Sequence, residues 1–329
     1  MLLLNERTIR NLYTMEDCMA DVEKAFRYEK EGKTVTPVRL SVPHEKEQAE
    51  TLYMPSYIEP VNYSGLKVVS IFPNNAKEGR KVLQGIILLT DGLTGEHVAL
   101  MDASYLTIMR TGASSGVATK YLARENAKVC AVLGTGAQSL GQIQAVMAVR
   151  EIEHILLFNR TLEKAEGLKE KLHALFPNWK GTITVQQDAN AAVKDADIVI
   201  CSSKSSTPLF DGRSLKRGAH INGIGSYQSH MQEVDVQTLY KSGKIVVDTM
   251  EGALHEAGDL IVPIEQGLWN AQSIYGEISE IITGQKEGRT EQEEITFYKA
   301  VGIAYLDTMV AQSVYQRALA ADVGETFNF

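Results

Sequence analysis

Between residues 128 and 248 short apolar runs alternate with helix-patterned segments, and no other feature limits the possible folds as strongly. Runs at 128–134, 155–158, 183–186, 197–201, 219–225 and 244–248 read as strands, and stretches such as TLEKAEGLKEKLHALF carry a helical period between them. Six short apolar strands alternating with helices predict a doubly wound α/β fold with a parallel sheet.

The first of these runs ends in CAVLGTGAQSLGQ, residues 130–142. Gly134 and Gly136 close the strand and precede a helical pattern. In a dinucleotide-binding turn the first glycine makes the bend, the second admits the pyrophosphate and the third lets the helix pack on the strand. Ser139 stands at the third position. The expectation is a phosphate-binding turn, and the alternative is a tight turn with a structural role only. The next strand, ILLF, ends at Asn159, Arg160 and Thr161. No acid is there to hold the ribose 2′-hydroxyl of NAD, whereas an arginine can pair with a 2′-phosphate, with Asn and Thr adding hydrogen bonds. That pattern favours NADPH and leaves NADH as the second choice. The plain alternative for Arg160 is a solvated surface charge.

The first hundred residues have another character. MEDCMADVEKAFRYEKEGK reads as a helix that buries Met15, Cys18, Met19, Val22, Ala25 and Phe26, with Thr14 as its cap and Gly32 at its end. TLYMPSYI, GLKVVSIF, LQGIILLT and HVALMDA read as strands, the last two joined by the hairpin turn DGLTGE. SYLTIMRTGASSGVATKYLAR is helix-like, with small residues that permit close packing. The tail EEITFYKAVGIAYLDTMVAQSVYQRAL reads as one more apolar helix.

Composition removes several function classes. A formal net charge of -8 gives no bulk attraction for nucleic acid or an anionic membrane. The tyrosines do not interleave with basic residues as a nucleic-acid platform would. Cys18, Cys130 and Cys201 form no CxxC pair, and the last two sit in apolar runs, which suits reduced thiols and a cytoplasmic protein. The N-terminal apolar run is too short for a signal peptide, and no run approaches membrane-spanning length. The histidines are scattered with no HExxH, so no metal site is expected; His220, opening an apolar strand, reads as structural. No nucleophile-elbow pattern is present.

RTGASSGVATKYLA, VLGTGAQ, FNRT, HINGIGS and EITFYKAVGIAYLD, taken in this order, resemble the ornithine cyclodeaminase/mu-crystallin family over nearly the whole chain. The resemblance implies a homodimer. It implies a substrate-binding and dimerisation domain from residues 1–113 with 303–329, and a dinucleotide-binding domain from 114–302. It implies a small cyclic imino acid or 2-amino acid as substrate. Arg39, in TPVRLSV, and Arg110, opening RTGA, match the family's carboxylate-gripping arginines; Lys67, in GLKVVS, matches its lysine near the reacting carbon. A carboxylate entering a dry pocket needs such cations, and a lysine in an apolar strand must be paired or face a cavity. The cofactor would lie against Arg110, Thr111, Gly134, Gly136, Ala137, Gln138, Asn159, Arg160, Thr161, Ser202, Val301 and Gly302.

One departure from the family pattern is informative. Members that deaminate ornithine carry an aspartate just after the second glycine of HINGIGS, and here that position is Ser226. A serine is a poor base at neutral pH unless activated. The expectation is therefore a reductase of cyclic ketimine 2-carboxylates, such as 1-pyrroline-2-carboxylate going to L-proline or 1-piperideine-2-carboxylate, with Lys67 and Ser226 as candidate catalytic residues. The rivals are an NAD-dependent ornithine cyclodeaminase, an alanine-dehydrogenase-like amino-acid dehydrogenase, and a protein that holds NADPH without turnover.

Overall fold

The computed structural model describes residues 1–328, and these fall into two compact units. One comprises Met1–Arg110 with the chain from Ile303 onward, and the other Thr111–Gly302. No helix among the described residues is long and apolar enough to cross a membrane.

The first unit is built on a mostly antiparallel sheet. Its strands are β1 (Leu2–Leu4), β2 (Thr34–Val35), β3 (Leu40–His44), β4 (Ala49–Ile58), β5 (Tyr63–Ile71), β6 (Leu83–Asp91) and β7 (His97–Asp102), with a terminal strand Glu325–Thr326. The order is terminal strand, β1, β7, β6, β5, β4, β2, and β3 also pairs with β4. β1 is the parallel exception, lying along β7. The helices are α1 (Glu6–Leu12), α2 (Met15–Lys30) and a C-terminal helix, Ala304–Ala320. α2 starts at a full capping box, in which Thr14 and Asp17 each take the other's backbone N–H. Its buried residues are Met15, Cys18, Met19, Val22, Ala25 and Phe26, one face at helical spacing.

The C-terminal helix lies across β4 and β5 and against α2. Gly65 on β5 makes this approach possible: a Cβ there would sit 2.1 Å from Thr308 Oγ1. Ser56 and Thr308 hydroxyls meet at 2.5 Å beside it. The opposite face of the sheet is open and apolar. Leu40, Tyr53, Val68 and Ile86 share one row across β3 to β6, and Pro55, Leu66, Leu88 and Leu100 the next across β4 to β7. Leu40 is 62% exposed and Ile86 45%.

The boundary between the units falls inside helix α3, Ala103–Leu122. The second unit has eight strands: β8 (Val129–Leu133), β9 (His154–Phe158), β10 (Thr182–Gln186), β11 (Ile198–Cys201), β12 (His220–Gly223), β13 (Ser242–Val247), β14 (Gly276–Glu277) and β15 (Ile295–Lys299). All pairs are parallel, in the order β10, β9, β8, β11, β12, β15, β13, β14. This is the doubly wound arrangement, and its order reverses between β8 and β11, where ligands of such sheets bind at the carboxyl ends. Separate apolar clusters contain Leu133, Val199, Ile221 and Phe297 on one hand and Val132, Ile143, Ile155 and Ile198 on the other.

The tail departs from the single helix expected over 293–319. Ile295–Lys299 is instead β15, hydrogen-bonded on both sides between β12 and β13, and the helix begins only at Ala304. All five residues of β15 are buried. A strand buried on both faces loses its alternation and reads as a plain apolar run, so only the β-branched and aromatic content of ITFYK marked it. Gly302, at φ 90, separates strand from helix.

Candidate active site

In the second unit the glycine turn sits at the reversal between β8 and β11. Gly134 has φ 93, and a Cβ there would lie 2.8 Å from Ser202 O and 2.9 Å from Ser203 N. Both backbone conformation and close approach thus demand glycine. Its N–H donates to Phe158 O at 2.9 Å, and Ser202 Oγ donates to Gly134 O at 2.8 Å, so three strand ends are tied at one point. Gly136 begins helix α4, Ala137–Val149, with no side-chain cap, and a Cβ there would meet nothing within 4 Å. Ser139 is buried, and its Oγ donates to Gly136 O at 2.6 Å, closing the turn where a third glycine would otherwise sit.

These features fit a dinucleotide pyrophosphate. The first N–H groups of α4, at Ala137 and Gln138, have no intrahelical acceptors and carry the positive end of the helix dipole. Thr135 Oγ1 and Gln138 Oε1 are buried with no hydrogen-bond partner among the described residues. Asn159 takes Thr135 N–H at 3.3 Å and donates to Thr161 O at 2.8 Å, joining the two turns. Arg160 and Thr161 are exposed at the end of β9. Thr111 O accepts from Gln142 Nε2 at 2.9 Å, which fastens α3 to α4. Gly112 lies against the Gly141 backbone, where a Cβ would come within 2.3 Å. The N–H groups of Val301 and Gly302 both donate to Asp248 Oδ2 at 2.8 Å, so those two residues have their amides engaged within the protein.

In the first unit β5 carries Lys67 on its covered face, opposite Met54 and Ile87. Lys67 Nζ donates to Asp307 Oδ2 at 2.6 Å, and Arg110 Nε donates to Asp307 Oδ1 at 3.0 Å. The three side chains are buried, Lys67 at 1%, Asp307 at 2% and Arg110 at 8% exposure. Burial pushes the Lys67 ammonium down to about 8; the charges of Arg110 and Arg39 push the same way, and Asp307 opposes them. Arg39 stands half-buried just before β3. Two buried cations, Lys67 and Arg110, thus share one carboxylate. Lys67 keeps two further N–H donors, and Arg110 has its terminal Nη groups beyond the Nε–Asp307 bond.

Asp307 escaped the sequence reading, although a signal was there. It is the one charged residue in the apolar stretch from Ala300 to Gln316. An acid in such a stripe must find a cation. Ser226, the other candidate catalytic residue, lies in the second unit. Its side chain is buried, Oγ donating to Met231 O at 2.7 Å and accepting from Asp259 N at 3.2 Å. The hydroxyl is thus engaged at both ends by main chain. His220 bonds Thr296 Oγ1 and Asn222 Oδ1, and burial lowers it to about 3, which makes it a neutral structural residue.

With this geometry in place, comparison with known proteins is specific. The model of the ornithine cyclodeaminase/mu-crystallin family matches residues 1–322. A Delta(1)-pyrroline-2-carboxylate reductase from Bacillus cereus is 43% identical over 329 residues, covering 100% of both chains. Among solved structures, the Delta(1)-pyrroline-2-carboxylate reductase of Thermococcus litoralis, in complex with NADH and L-proline, superposes with a TM-score of 0.95. It is 38% identical, with 99% of this chain and 100% of that one covered. An archaeal alanine dehydrogenase dimer with bound NAD follows at a TM-score of 0.92 and 33% identity, covering 100% and 99%.

Proposed function

The chain belongs to the ornithine cyclodeaminase/mu-crystallin family, and from that premise we propose that it reduces cyclic ketimine 2-carboxylates, converting 1-pyrroline-2-carboxylate to L-proline. It is an oxidoreductase that uses a nicotinamide dinucleotide. The observation that carries the substrate reading is the surplus of cations around Asp307. Lys67 and Arg110, both buried, share the single carboxylate of Asp307, and a substrate carboxylate supplies the second anion.

In this reading Arg39 and the Nη groups of Arg110 grip the substrate carboxylate and orient the ring. The turn of Gly134 and Gly136 would hold the reduced dinucleotide, which when bound would supply the hydride that the carboxylate-bearing carbon takes up. The C=N electron pair then moves to nitrogen, which needs a proton. Lys67 gives that proton and recovers it from solvent. Its lowered pKa makes it a ready donor near neutral pH, and Asp307 keeps it charged enough to act. Ser226 stands where deaminating members carry aspartate, and its engaged hydroxyl speaks against the cyclodeaminase alternative.

Three finer features complete the proposal. Arg160, exposed beyond β9 with no acid beside it in Asn159 and Thr161, favours NADPH over NADH through its 2′-phosphate. The open apolar face of the first unit fits a homodimer, since rows containing Leu40, Val68, Ile86 and Leu88 are a poor surface for a monomer. Buried free thiols at Cys18, Cys130 and Cys201 suit the cytoplasm.

The test is steady-state oxidation of NADPH, with NADH beside it, by purified protein given 1-pyrroline-2-carboxylate. Turnover that prefers NADPH and needs no ammonia is expected. Turnover only with ammonia and a 2-oxo acid would make the protein an amino-acid dehydrogenase. Cofactor binding with no turnover would make it a binding protein.

A further inference from the structure

Past the carboxyl ends of β11 and β12, in the second unit, lies a buried charged cluster that the proposed chemistry does not use. Glu233 is fully buried. Its Oε1 accepts from Ser203 N at 2.6 Å, and its Oε2 accepts from Gly225 N at 2.7 Å and Ser226 N at 3.2 Å. One carboxylate therefore holds the first loop residues beyond two neighbouring strands. The loops touch closely: a Cβ on Gly225 would lie 2.1 Å from Ser203 O and 2.5 Å from Glu233 Oε1. Ser203 also adjoins Ser202, whose Oγ bonds Gly134 O in the phosphate turn.

Glu233 is itself held from behind. Asp259 Oδ1 accepts the N–H groups of Glu233 and Val234 at 2.6 and 3.0 Å, and Asp259 Oδ2 takes Lys299 Nζ at 2.8 Å. Ser226 closes the ring through Met231 O and Asp259 N. Two buried carboxylates facing one buried ammonium is a costly arrangement for packing alone. What it secures is the relative position of two loops at the end of the sheet where dinucleotides bind.

We propose that Glu233 is a positioning residue for the nicotinamide dinucleotide, clasping in its ionised form the loops that follow β11 and β12 so that the binding crevice is preformed. The inference rests on the dinucleotide reading of the second unit and is independent of which substrate is reduced. The groups facing Glu233 are Asp259 from the helix Gly258–Glu265, Lys299 from β15 and Cys201 from β11, with Asp248 beyond Lys299. Burial, reinforced by Asp259 and opposed by Lys299, pushes the Glu233 carboxyl up to about 7. Protonation would remove the charge that three N–H groups share, so the clasp is complete above that pH and weakens below it.

The experiment is a titration of NADH into the substrate-free protein, read by nucleotide fluorescence from about pH 6 to about pH 8.5. NADH is chosen because it has no 2′-phosphate to titrate. The parent is expected to bind about tenfold more weakly at the acid end. Glu233→Gln is expected to bind about tenfold more weakly than the parent at the alkaline end and to lose the pH dependence, while Glu233→Asp recovers part of both. A pH-independent Kd in the parent overturns the proposal, whatever the variants do. So does a folded Glu233→Gln protein with the parent's affinity and pH profile. Failure of the parent to bind either NADH or NADPH at any pH would instead remove the dinucleotide reading itself.

Discussion

The carboxylate of Asp307 lies 2.6 Å from the ammonium of Lys67, and neither side chain is more than 2% exposed. Asp307 is the one partner holding up the charge of Lys67, which burial, Arg110 and Arg39 lower to about 8. Replacing it with a neutral residue therefore has a signed consequence. In Asp307→Asn the Lys67 pKa falls further, and the alkaline limb of kcat/KM moves to lower pH. Loss of activity at neutral pH is expected at about 100-fold, with partial recovery in Asp307→Glu. A pH profile of kcat/KM checks this; a drop in rate with an unmoved limb would show that Lys67 is not the titrating proton donor.

The pair exists because the C-terminal helix comes down onto β5 at Gly65. Gly65→Ala puts a methyl carbon where Thr308 Oγ1 now sits 2.1 Å from the ideal Cβ. Overpacking of this kind costs about 1–3 kcal/mol and forces the helix outward. Thermal unfolding should register the loss, and KM for the imino acid should rise, because Asp307 moves with the helix. A variant with parent stability and parent KM would contradict the close approach.

The NADPH preference proposed for the end of β9 has its own test. Arg160→Ala should raise KM for NADPH about 10- to 100-fold and leave KM for NADH within about twofold. The ratio of the two KM values is the measurement. Equal effects on both would make Arg160 a general surface charge.

The homodimer proposed through the open face of the first unit has its own dissociation variant. Ile86→Lys, set beside Val68 in the exposed apolar row, should convert a dimer to monomer in light scattering without lowering the helix content seen by circular dichroism. A dimer of unchanged mass would place the interface elsewhere.

Much of this was legible from residue order, for reasons that differ by element. α2 was read with its cap and its buried face because an amphipathic surface helix displays its period. The parallel strands β8 to β13 stood out as apolar runs between helices, and Gly134 was read from a turn that only glycine can make. β15 was hidden because a strand buried on both sides loses its alternation and merges with the apolar helix that follows. Asp307 was hidden because its partners come from β5 and α3, about 240 and 200 residues earlier, and no local spacing encodes such a meeting. Ser226 was singled out because it interrupts the family's pattern, yet its hydroxyl is committed to the main chain of a neighbouring loop. Sequence marked the position as unusual, and only the fold shows what its hydroxyl bonds.

The central claim is hydride addition to the carboxylate-bearing carbon of a cyclic imine. Its most direct test is a reaction of 1-pyrroline-2-carboxylate with NADPH carrying deuterium at the transferable position of the nicotinamide ring, followed by mass spectrometry and NMR of the product. The account predicts L-proline with a single deuterium at C2. Proline without deuterium at C2, or no proline formed from the imine, would contradict it.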